Sequence, residues 1–363
     1  MREYLFTSES VTDGHPDKIC DQIADSILDA ALSQDPYSKM AVEATIKDDL
    51  ILVYGEANTK ATIDFEKIAK DVIRSIGYDE EYTVMVKVNG QSAEIFNAVT
   101  GHDEIAAGDQ GIMFGYASNE TENYMPLAID TAHKLSKRLS DLKWEDKRIR
   151  PDGKTQVTVL YRDHKPVSID TIVVSTQHSA DMTQEELHEV VKTQVIDHVV
   201  DPKWITPDTK YFINPSGSFV VGGSFGDSGT TGRKIVVDTY GGMGRIGGGC
   251  FSSKDPSKVD RSAAYYSRFV AKNLVAANLA ERCEIQLSYA IGQTHPISIM
   301  IDTFNTNLVE LEEIYAWVKR NFDFSVGNII RELDLLKPIY RKTANFGHFG
   351  RDGFSWETIK ATK

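Results

Sequence analysis

The sequence predicts an α+β fold of three related units, each made of a helix, a two-stranded hairpin and a second helix. The apolar spacing changes three times in the same order, from helical periodicity to alternation and back. The second helices begin near residues 63, 183 and 306, about 120 residues apart, which is too long for a solenoid repeat. Coincidence is the alternative, since this order of elements is common. We expect subdomains over 1–100, 101–230 and 231–363, with segments interleaved between them.

Each unit has its own boundaries and turn signals. In the first unit the helix, strand and helix patterns occupy residues 16–32, 40–57 and 62–78. In the second they occupy 125–142, 155–178 and 182–200. In the third they occupy 262–283, 284–304 and 306–322. Polar or proline-containing turns at 47–49, 163–166 and 294–296 close the hairpins. The expected N-caps of the second helices are Thr62 or Asp64, Thr183, and Asn305 or Thr306.

Composition excludes several classes of function. Hydrophobic residues make up 41% and charged residues 26% of the chain, as in ordinary globular proteins. The net charge of −13 argues against nucleic acid as the main partner, but leaves room for a small anion held by local lysines. We see no secretory signal and no run near the roughly 18 apolar residues that span a membrane. Three cysteines without a CxxC pair predict a cytoplasmic protein without disulfides or a zinc site.

A glycine-rich stretch, 234–262, follows a strand-like run at 235–240 and contains G-x-G-x-x-G spacing from Gly242 to Gly247. A Rossmann turn needs a helix at its last glycines, whereas Pro256 delays helical periodicity here to about residue 259. GDSGTTGRK lacks the Walker spacing as well. Cations concentrate in this part of an acidic chain, at Arg233, Lys234, Arg245, Lys254, Lys258 and Arg261. The stretch predicts a phosphate-binding loop of neither familiar type, and a solvated charged loop is the alternative.

Two further clusters combine acids and bases. His15 and Asp17 stand at the start of a helix whose first residue is Pro16, where Asp17 could cap the helix or bind a divalent cation. Asp152 and Lys154 stand at the entrance to a strand, where a simple Asp-Gly turn is the alternative.

Two acids, Asp227 and Asp260, lie in this basic context and could hold a metal or a ribose. Together with the two clusters, this charge pattern predicts a site for a nucleoside triphosphate with Mg²⁺. The residues alone do not name the reaction.

Four motifs match a known family. The chain resembles the S-adenosylmethionine synthetases in LFTSESVTDGHPDKICDQIADSILDA at Leu5–Ala30 and in AAGDQG at 106–111, which is similar to an ATP-binding hexapeptide written GAGDQG. GGMGRIGGGCFSSKDPSKVDRSAAY at 241–265 and FGHFGRDGFSWE at 346–357 resemble its lysine motif and its tail. The resemblance covers essentially the whole chain, and it implies three related subdomains in a pseudo-threefold arrangement.

The resemblance also implies a reaction. The methionine sulfur attacks C5′ of ATP and expels the triphosphate, which is then hydrolysed to phosphate and pyrophosphate. A thioether needs no base to activate it, so the barrier lies in the leaving group. Cations beside the triphosphate stabilise the charge that grows as the C5′–O bond breaks.

Site residues are carried over by matching position. Those implied in catalysis are His15, Lys154, Arg233, Lys234 and Lys254. Those implied in binding ATP are His15, Asp152, Lys154, Ser218, Phe219, Asp227, Arg233, Lys234, Cys250 and Lys254. Those implied around methionine are Glu56, Gln91, Asp227 and Lys258. Asp17 and Asp260 resemble ligands of Mg²⁺, with about two ions per site, and Glu43 resembles a ligand of K⁺.

The family places each active site between two subunits, so the resemblance implies a homodimer with shared sites, assembled into a tetramer as a dimer of dimers. His15 and Gln91 would reach ligands held by the partner. The sequence departs from the family in five places. Ile246 replaces a histidine, Cys250 replaces a small residue, GEANTK replaces GEITTK near Glu56, and both the segment 78–91 and a lid-like loop at 91–108 are shortened.

Two alternatives stay open. Another Mg–ATP enzyme on this fold, such as a kinase or ligase, would leave ADP or AMP. A non-catalytic regulatory subunit would have lost charged residues of the site, whereas His15, Asp17, Lys154, Asp227, Lys254 and Asp260 are all present.

Overall fold

A computed structural model describes residues 2–90 and 105–361. Within these ranges the strands are β1 (Glu3–Val11), β2 (Lys39–Lys47), β3 (Leu50–Asn58), β4 (Thr83–Asn89), β5 (Gly111–Ser118), β6 (Ile149–Arg162), β7 (Lys165–His178), β8 (Lys210–Ile213), β9 (Gly229–Thr230), β10 (Arg282–Tyr289) and β11 (Ser298–Asp302). They form sheets ordered β1-β6-β7-β8, β11-β10-β5 and β4-β3-β2-β9.

Helices of very different length connect the strands. They are α1 (Pro16–Leu32), α2 (Phe65–Ile76), α3 (Leu127–Glu145), α4 (Gln184–Val190), α5 (Gly223–Gly226), α6 (Ile235–Asp238), α7 (Val259–Ala276), α8 (Leu311–Asn321) and α9 (Val326–Glu332). A π-helix at Val191–Ile196 and a turn at Asp197–Val199 continue α4. The α+β class predicted from the sequence is therefore confirmed.

Each sheet contains one of the hairpins predicted from the sequence. The antiparallel pairs are β2 with β3, β6 with β7, and β10 with β11. Helices α1 and α2, α3 and α4, and α7 and α8 precede and follow these hairpins in chain order. Alternating apolar residues of each hairpin are buried, as in β2, where Met40, Val42, Ala44 and Ile46 face the core.

Further strands join these sheets from distant parts of the chain. β1 pairs antiparallel with β6, so residues 3–11 lie beside residues 154–162. β5 pairs with β10, and the two-residue strand β9 pairs with β2. Residues from well-separated segments therefore complete all three sheets.

The core has two parts. The larger contains α1, the β2–β3 hairpin, α7 and β10, and α7 is buried along nearly its whole length. The smaller lies between α3, α4 and the sheet of β6 and β7. No helix within 2–90 and 105–361 is long and apolar enough to cross a membrane.

Two local expectations were wrong. The run 235–240 is not a strand but contains the helical turn α6, because Asp238 N–H bonds the Lys234 carbonyl and the Asp238 carboxylate is held by Lys18. The last of the predicted second helices, α8, begins after Glu310 rather than at residues 305–306. The Thr306 hydroxyl instead donates to the Thr303 carbonyl in a preceding turn. The expected caps Asp64 and Thr183 are confirmed.

Candidate active site

The N-terminus of α1 forms the centre of the candidate site. Pro16 occupies the first helical position, where its missing N–H costs nothing and its fixed φ favours the helix. His15 is the N-cap, and its Nδ1 accepts a hydrogen bond from Asp17 N–H at 3.2 Å. The expectation that Asp17 itself could cap α1 is therefore wrong.

The imidazole of His15 is neutral. Burial, followed by the charges of Lys234 and Lys154, lowers the pKa of His15 to about 3, against opposing contributions from Asp17 and Asp227. Because Nδ1 accepts a hydrogen bond, the neutral ring carries its proton on Nε2. His15 can therefore donate a hydrogen bond from Nε2 near two lysines.

Asp17 is completely buried and receives its partners from one segment. Thr230 N–H donates to Oδ1 at 3.0 Å, Lys234 Nζ donates to Oδ2 at 2.5 Å, and Arg233 Nε lies 3.3 Å from Oδ1. Burial would raise the pKa of Asp17, but Lys234 and the Thr230 N–H outweigh it and hold the pKa below its usual value. A Cβ on Gly229 would lie 2.1 Å from the Pro16 carbonyl oxygen, so this close approach of β9 requires glycine.

The second cluster lies at the start of β6. Asp152 is buried and accepts a hydrogen bond from Gly223 N–H at 2.8 Å, while Lys154 is exposed. Burial raises the pKa of Asp152 to about 6, despite the Gly223 N–H and the charge of Lys154. Asp227 follows α5, is exposed and accepts from Ser228 N–H. Lys154 and Asp227 lie near enough to His15 for their charges to act on its pKa, and both also act on Asp152.

Another group forms around the glycine-rich loop. Lys254 Nζ donates to Asp260 Oδ2 at 2.6 Å, and Lys258 pairs with Asp255. Cys250 is partly buried, and burial raises the pKa of its thiol to about 11, so the thiol is protonated. A Cβ on Gly249 would lie 2.3 Å from Cγ of Asp260, so the loop packs directly on that acid.

The first hairpin adds two acids to this second group. Glu43 on β2 is half-buried and accepts from Tyr54 Oη at 3.3 Å. Glu56 on β3 is exposed and lies opposite Ala41, whose other neighbour is Lys254 in an isolated bridge.

Of the remaining predicted residues, two lie in the segment beside His178, and the others fall outside the residues that the structure describes. Phe219 is tied to His178, since its N–H donates to His178 Nε2 at 3.0 Å and its carbonyl accepts from His178 N–H. Ser218 beside it is exposed. Gln91 and most of the predicted lid loop lie outside the described residues. Within one chain the predicted residues thus include a group around His15 and a group around Lys254. The two groups adjoin at Gly232, next to Arg233, where a Cβ would lie 2.6 Å from Cβ of Cys250.

Comparisons with known proteins give one consistent result. The three family models that match are the N-terminal domain of S-adenosylmethionine synthetase at residues 3–102, the central domain at 104–219 and the C-terminal domain at 221–358. Together they cover nearly the whole chain. The chain belongs to the S-adenosylmethionine synthetase family.

Two bacterial relatives resemble it from end to end. The S-adenosylmethionine synthase of Sorangium cellulosum (strain So ce56) is 50% identical, over 100% of this chain and 90% of its own length. The S-adenosylmethionine synthase of Myxococcus xanthus (strain DK1622) is 50% identical, over 99% of this chain and 94% of its own length. The resemblance stated from motifs is confirmed.

Members of the S-adenosylmethionine synthetase family are generally metal-dependent, and the described residues fit a cation that is completed by substrate. No group of three or more His, Cys, Asp or Glu side chains within 2–90 and 105–361 could hold a metal. Mg²⁺ needs fewer, since it binds one or two carboxylates together with phosphates and water. Asp17 and Asp260 could serve as such carboxylates, since each contacts a lysine that could turn to a phosphate.

Sequence reasoning missed a buried charge network beside the candidate site. Its members are Lys18, Asp21, Asp25, Asp238 and Arg261. The signal was present in α1, where Asp21 and Asp25 interrupt an apolar helix one turn apart and are fully buried.

A roomy cavity of about 370 Å³ lies between α3 and the C-terminal loop 346–351, and its walls include none of the predicted site residues. Two of its lysines, Lys134 and Lys137, pair with acids of their own helix. The residues predicted from the sequence therefore favour the α1 terminus over this cavity as the candidate site.

Proposed function

We propose that the chain is a methionine adenosyltransferase, which makes S-adenosylmethionine from ATP and L-methionine and hydrolyses the released triphosphate to phosphate and pyrophosphate. Family membership supports the reaction. The observation that carries the assignment of the site is the neutral, buried His15 beside Lys154 and Lys234. This arrangement offers a hydrogen-bond donor and fixed positive charge at one point, as departure of a polyanion requires.

The chemistry follows from the leaving group. The methionine sulfur attacks C5′ without a base, because a thioether is already nucleophilic. The electron pair of the C5′–O bond passes to the triphosphate oxygen. The Nε2–H of His15 donates a hydrogen bond toward that oxygen, and its neutral state avoids a buried cation before ATP arrives. Four cations stabilise the charge that grows on the triphosphate in the transition state more than they stabilise bound ATP in the ground state. They are Lys154, Arg233, Lys234 and Lys254.

The metals and the two substrates would be held by different sets of residues, with Asp227 shared between ATP and methionine. Asp17 and Asp260 would hold Mg²⁺, which supplies further positive charge to the phosphates, and Glu43 would hold K⁺. The nucleoside would be held by Asp152, Ser218, Phe219 and Cys250. Methionine would be held by Glu56, Gln91, Asp227 and Lys258, and Gln91 lies outside the described residues.

The assembly is also part of the proposal. We infer a homodimer with shared sites, arranged as a dimer of dimers in the cytoplasm. Family membership supports this assembly, since the resemblance implies that each active site lies between two subunits. The subdomains would be 1–100, 101–230 and 231–363 in a pseudo-threefold arrangement with exchanged strands.

A product assay tests the reaction. Purified protein is incubated with ATP, L-methionine, Mg²⁺ and K⁺, and nucleosides and phosphates are separated by chromatography. We expect S-adenosylmethionine, phosphate and pyrophosphate without ADP or AMP. ADP or AMP formed with another acceptor would replace this proposal by a kinase or ligase, and absence of turnover would favour a regulatory subunit.

A further inference from the structure

A single buried lysine connects the two segments that form the candidate site. Lys18 lies one residue after Asp17 in α1 and has no solvent exposure. Its Nζ donates to Asp21 Oδ2 at 3.0 Å and contacts Asp238 Oδ1, two carboxylates that are themselves buried. The cation thus bridges α1 to the end of α6.

The partners of Lys18 hold both ends of segment 232–238. At its start, Gly232 N–H donates to Asp21 Oδ1 at 2.8 Å. At its end, Asp238 contacts Lys18, its N–H donates to the Lys234 carbonyl at 2.9 Å, and its carbonyl accepts from His348 N–H at 2.9 Å.

Arg233 and Lys234 lie between these two contacts, and both face Asp17. Lys234 Nζ lies 2.5 Å from Asp17 Oδ2, and Arg233 Nε lies 3.3 Å from Oδ1. Lys18 and Asp21 are on the same helix as Asp17 and His15, so one rigid element fixes the positions of all these groups.

Stability alone explains this arrangement poorly. One lysine faces two buried carboxylates, and burial raises the pKa of Asp238 to about 7 despite the lysine. Buried ion clusters are often no more stabilising than apolar residues of the same volume. A role in geometry accounts for the cluster, because cations that act on a departing triphosphate must be placed accurately.

We propose that Lys18, with Asp21 and Asp238, is a positioning residue for adenosyl transfer. It holds segment 232–238 against α1, so that Arg233 and Lys234 meet the triphosphate beside His15. This inference rests on the proposed function, and it adds residues that touch neither substrate.

Two variants test the inference. Lys18→Met/Asp238→Leu removes the bridge but leaves the buried Asp21 with the Gly232 N–H and without its cation. Asp238→Asn keeps the shape and the Lys18–Asp21 pair and removes one charge. We expect kcat per folded enzyme to fall roughly 10²-fold in the double variant, as small misplacements of reacting groups can cause, and by less in Asp238→Asn. KM for methionine should stay near the wild-type value. Hydrolysis of added tripolyphosphate should fall together with adenosyl transfer, because both use Arg233 and Lys234.

The matched control is Glu357→Gln. Glu357 is also buried and pairs with Arg268 and Lys272, but it lies in the C-terminal part of the core, outside the predicted site. It should lower the temperature of unfolding and leave kcat per folded enzyme unchanged.

The outcomes separate the two proposals. If the wild type makes no S-adenosylmethionine, the proposed function fails. If the wild type turns over and either folded variant matches its kcat, the positioning role is overturned. If the double variant does not fold, Asp238→Asn decides alone: a lower kcat at unchanged KM supports the role, and a wild-type kcat refutes it.

Discussion

His15 uses its two ring nitrogens for different purposes. Nδ1 caps α1 by accepting from Asp17 N–H, and this bond leaves the proton on Nε2, where we place the leaving oxygen. The same residue therefore contributes both to the stability of the helix and to the proposed chemistry, and a test of its role must separate the two.

Replacing His15 achieves that separation. We expect His15→Ala to slow adenosyl transfer about 10²-fold and to slow hydrolysis of added tripolyphosphate much less, since only transfer breaks C5′–O. The lost cap should cost about 1 kcal/mol of stability. His15→Asn is the matched control, because asparagine is a good N-cap: it should restore the unfolding temperature more than the transfer rate. Equal losses in both reactions would show that His15 is structural.

Lys154 offers a cleaner test of charge. Its side chain is exposed at the start of β6 and it pairs in register with Val11, so removing it should leave the fold intact. We expect Lys154→Ala to lower kcat about 10²- to 10³-fold, because positive charge opposite the triphosphate is lost. Lys165→Ala, at an exposed lysine on β7 that pairs with Glu281, should have wild-type kinetics. A wild-type kcat in Lys154→Ala would rule out its catalytic role.

At the scale of elements, the sequence predicted the structures whose contacts lie within one stretch of the chain. Hairpins and their flanking helices follow from periodicity and turn residues that lie within one stretch of chain. The strands β1, β5 and β9 were not predicted, because their partners lie far away and a two-residue strand has no periodicity. The run 235–240 is rich in β-branched residues, yet tertiary contacts of Asp238 impose a helical turn.

The candidate site also divides into residues that the sequence predicts and residues that only folding brings together. Its charged residues could be predicted from motifs, whereas the buried residues that we propose to position them could not. Lys18 and Asp238 are 220 residues apart, and only folding brings them into contact.

A further prediction concerns two glycines of the glycine-rich loop. A methyl group at Gly249 would overlap Asp260, whereas one at Gly248 would meet nothing within 4 Å and would only strain a backbone with φ of +92°. Gly249→Ala should displace the Asp260 carboxylate and raise the Mg²⁺ concentration for half-maximal activity about tenfold. Gly248→Ala should lower stability without changing that concentration. A shared response of both variants would mean that the loop does not position the metal ligand.

At the scale of the whole molecule, strand exchange makes the three sheets interdependent. β1 enters the sheet of β6, β5 enters the sheet of β10, and β9 enters the sheet of β2. Unfolding of any sheet therefore removes partners from elements that belong to another part of the chain.

We consequently expect one cooperative thermal transition, although chains of this length often unfold in stages. Calorimetry should give a single peak, and near-ultraviolet and far-ultraviolet circular dichroism should report the same midpoint. Separate transitions for the sheets would contradict this expectation.

The strands β1, β5 and β9, which pair with distant segments, also determine when each sheet can be completed during synthesis on the ribosome. β1 emerges first, but residues 154–162, which pair with it, follow only after the first helix–hairpin–helix stretch has been made. β9 completes the first sheet only when residues 229–230 appear, and β5 waits for residues 282–289. The nascent chain thus carries unpaired strand edges until its last third is synthesised, a period in which it depends on protection from aggregation. For the same reason, recombination that exchanges one third of the gene between relatives would divide a sheet rather than transfer an intact one.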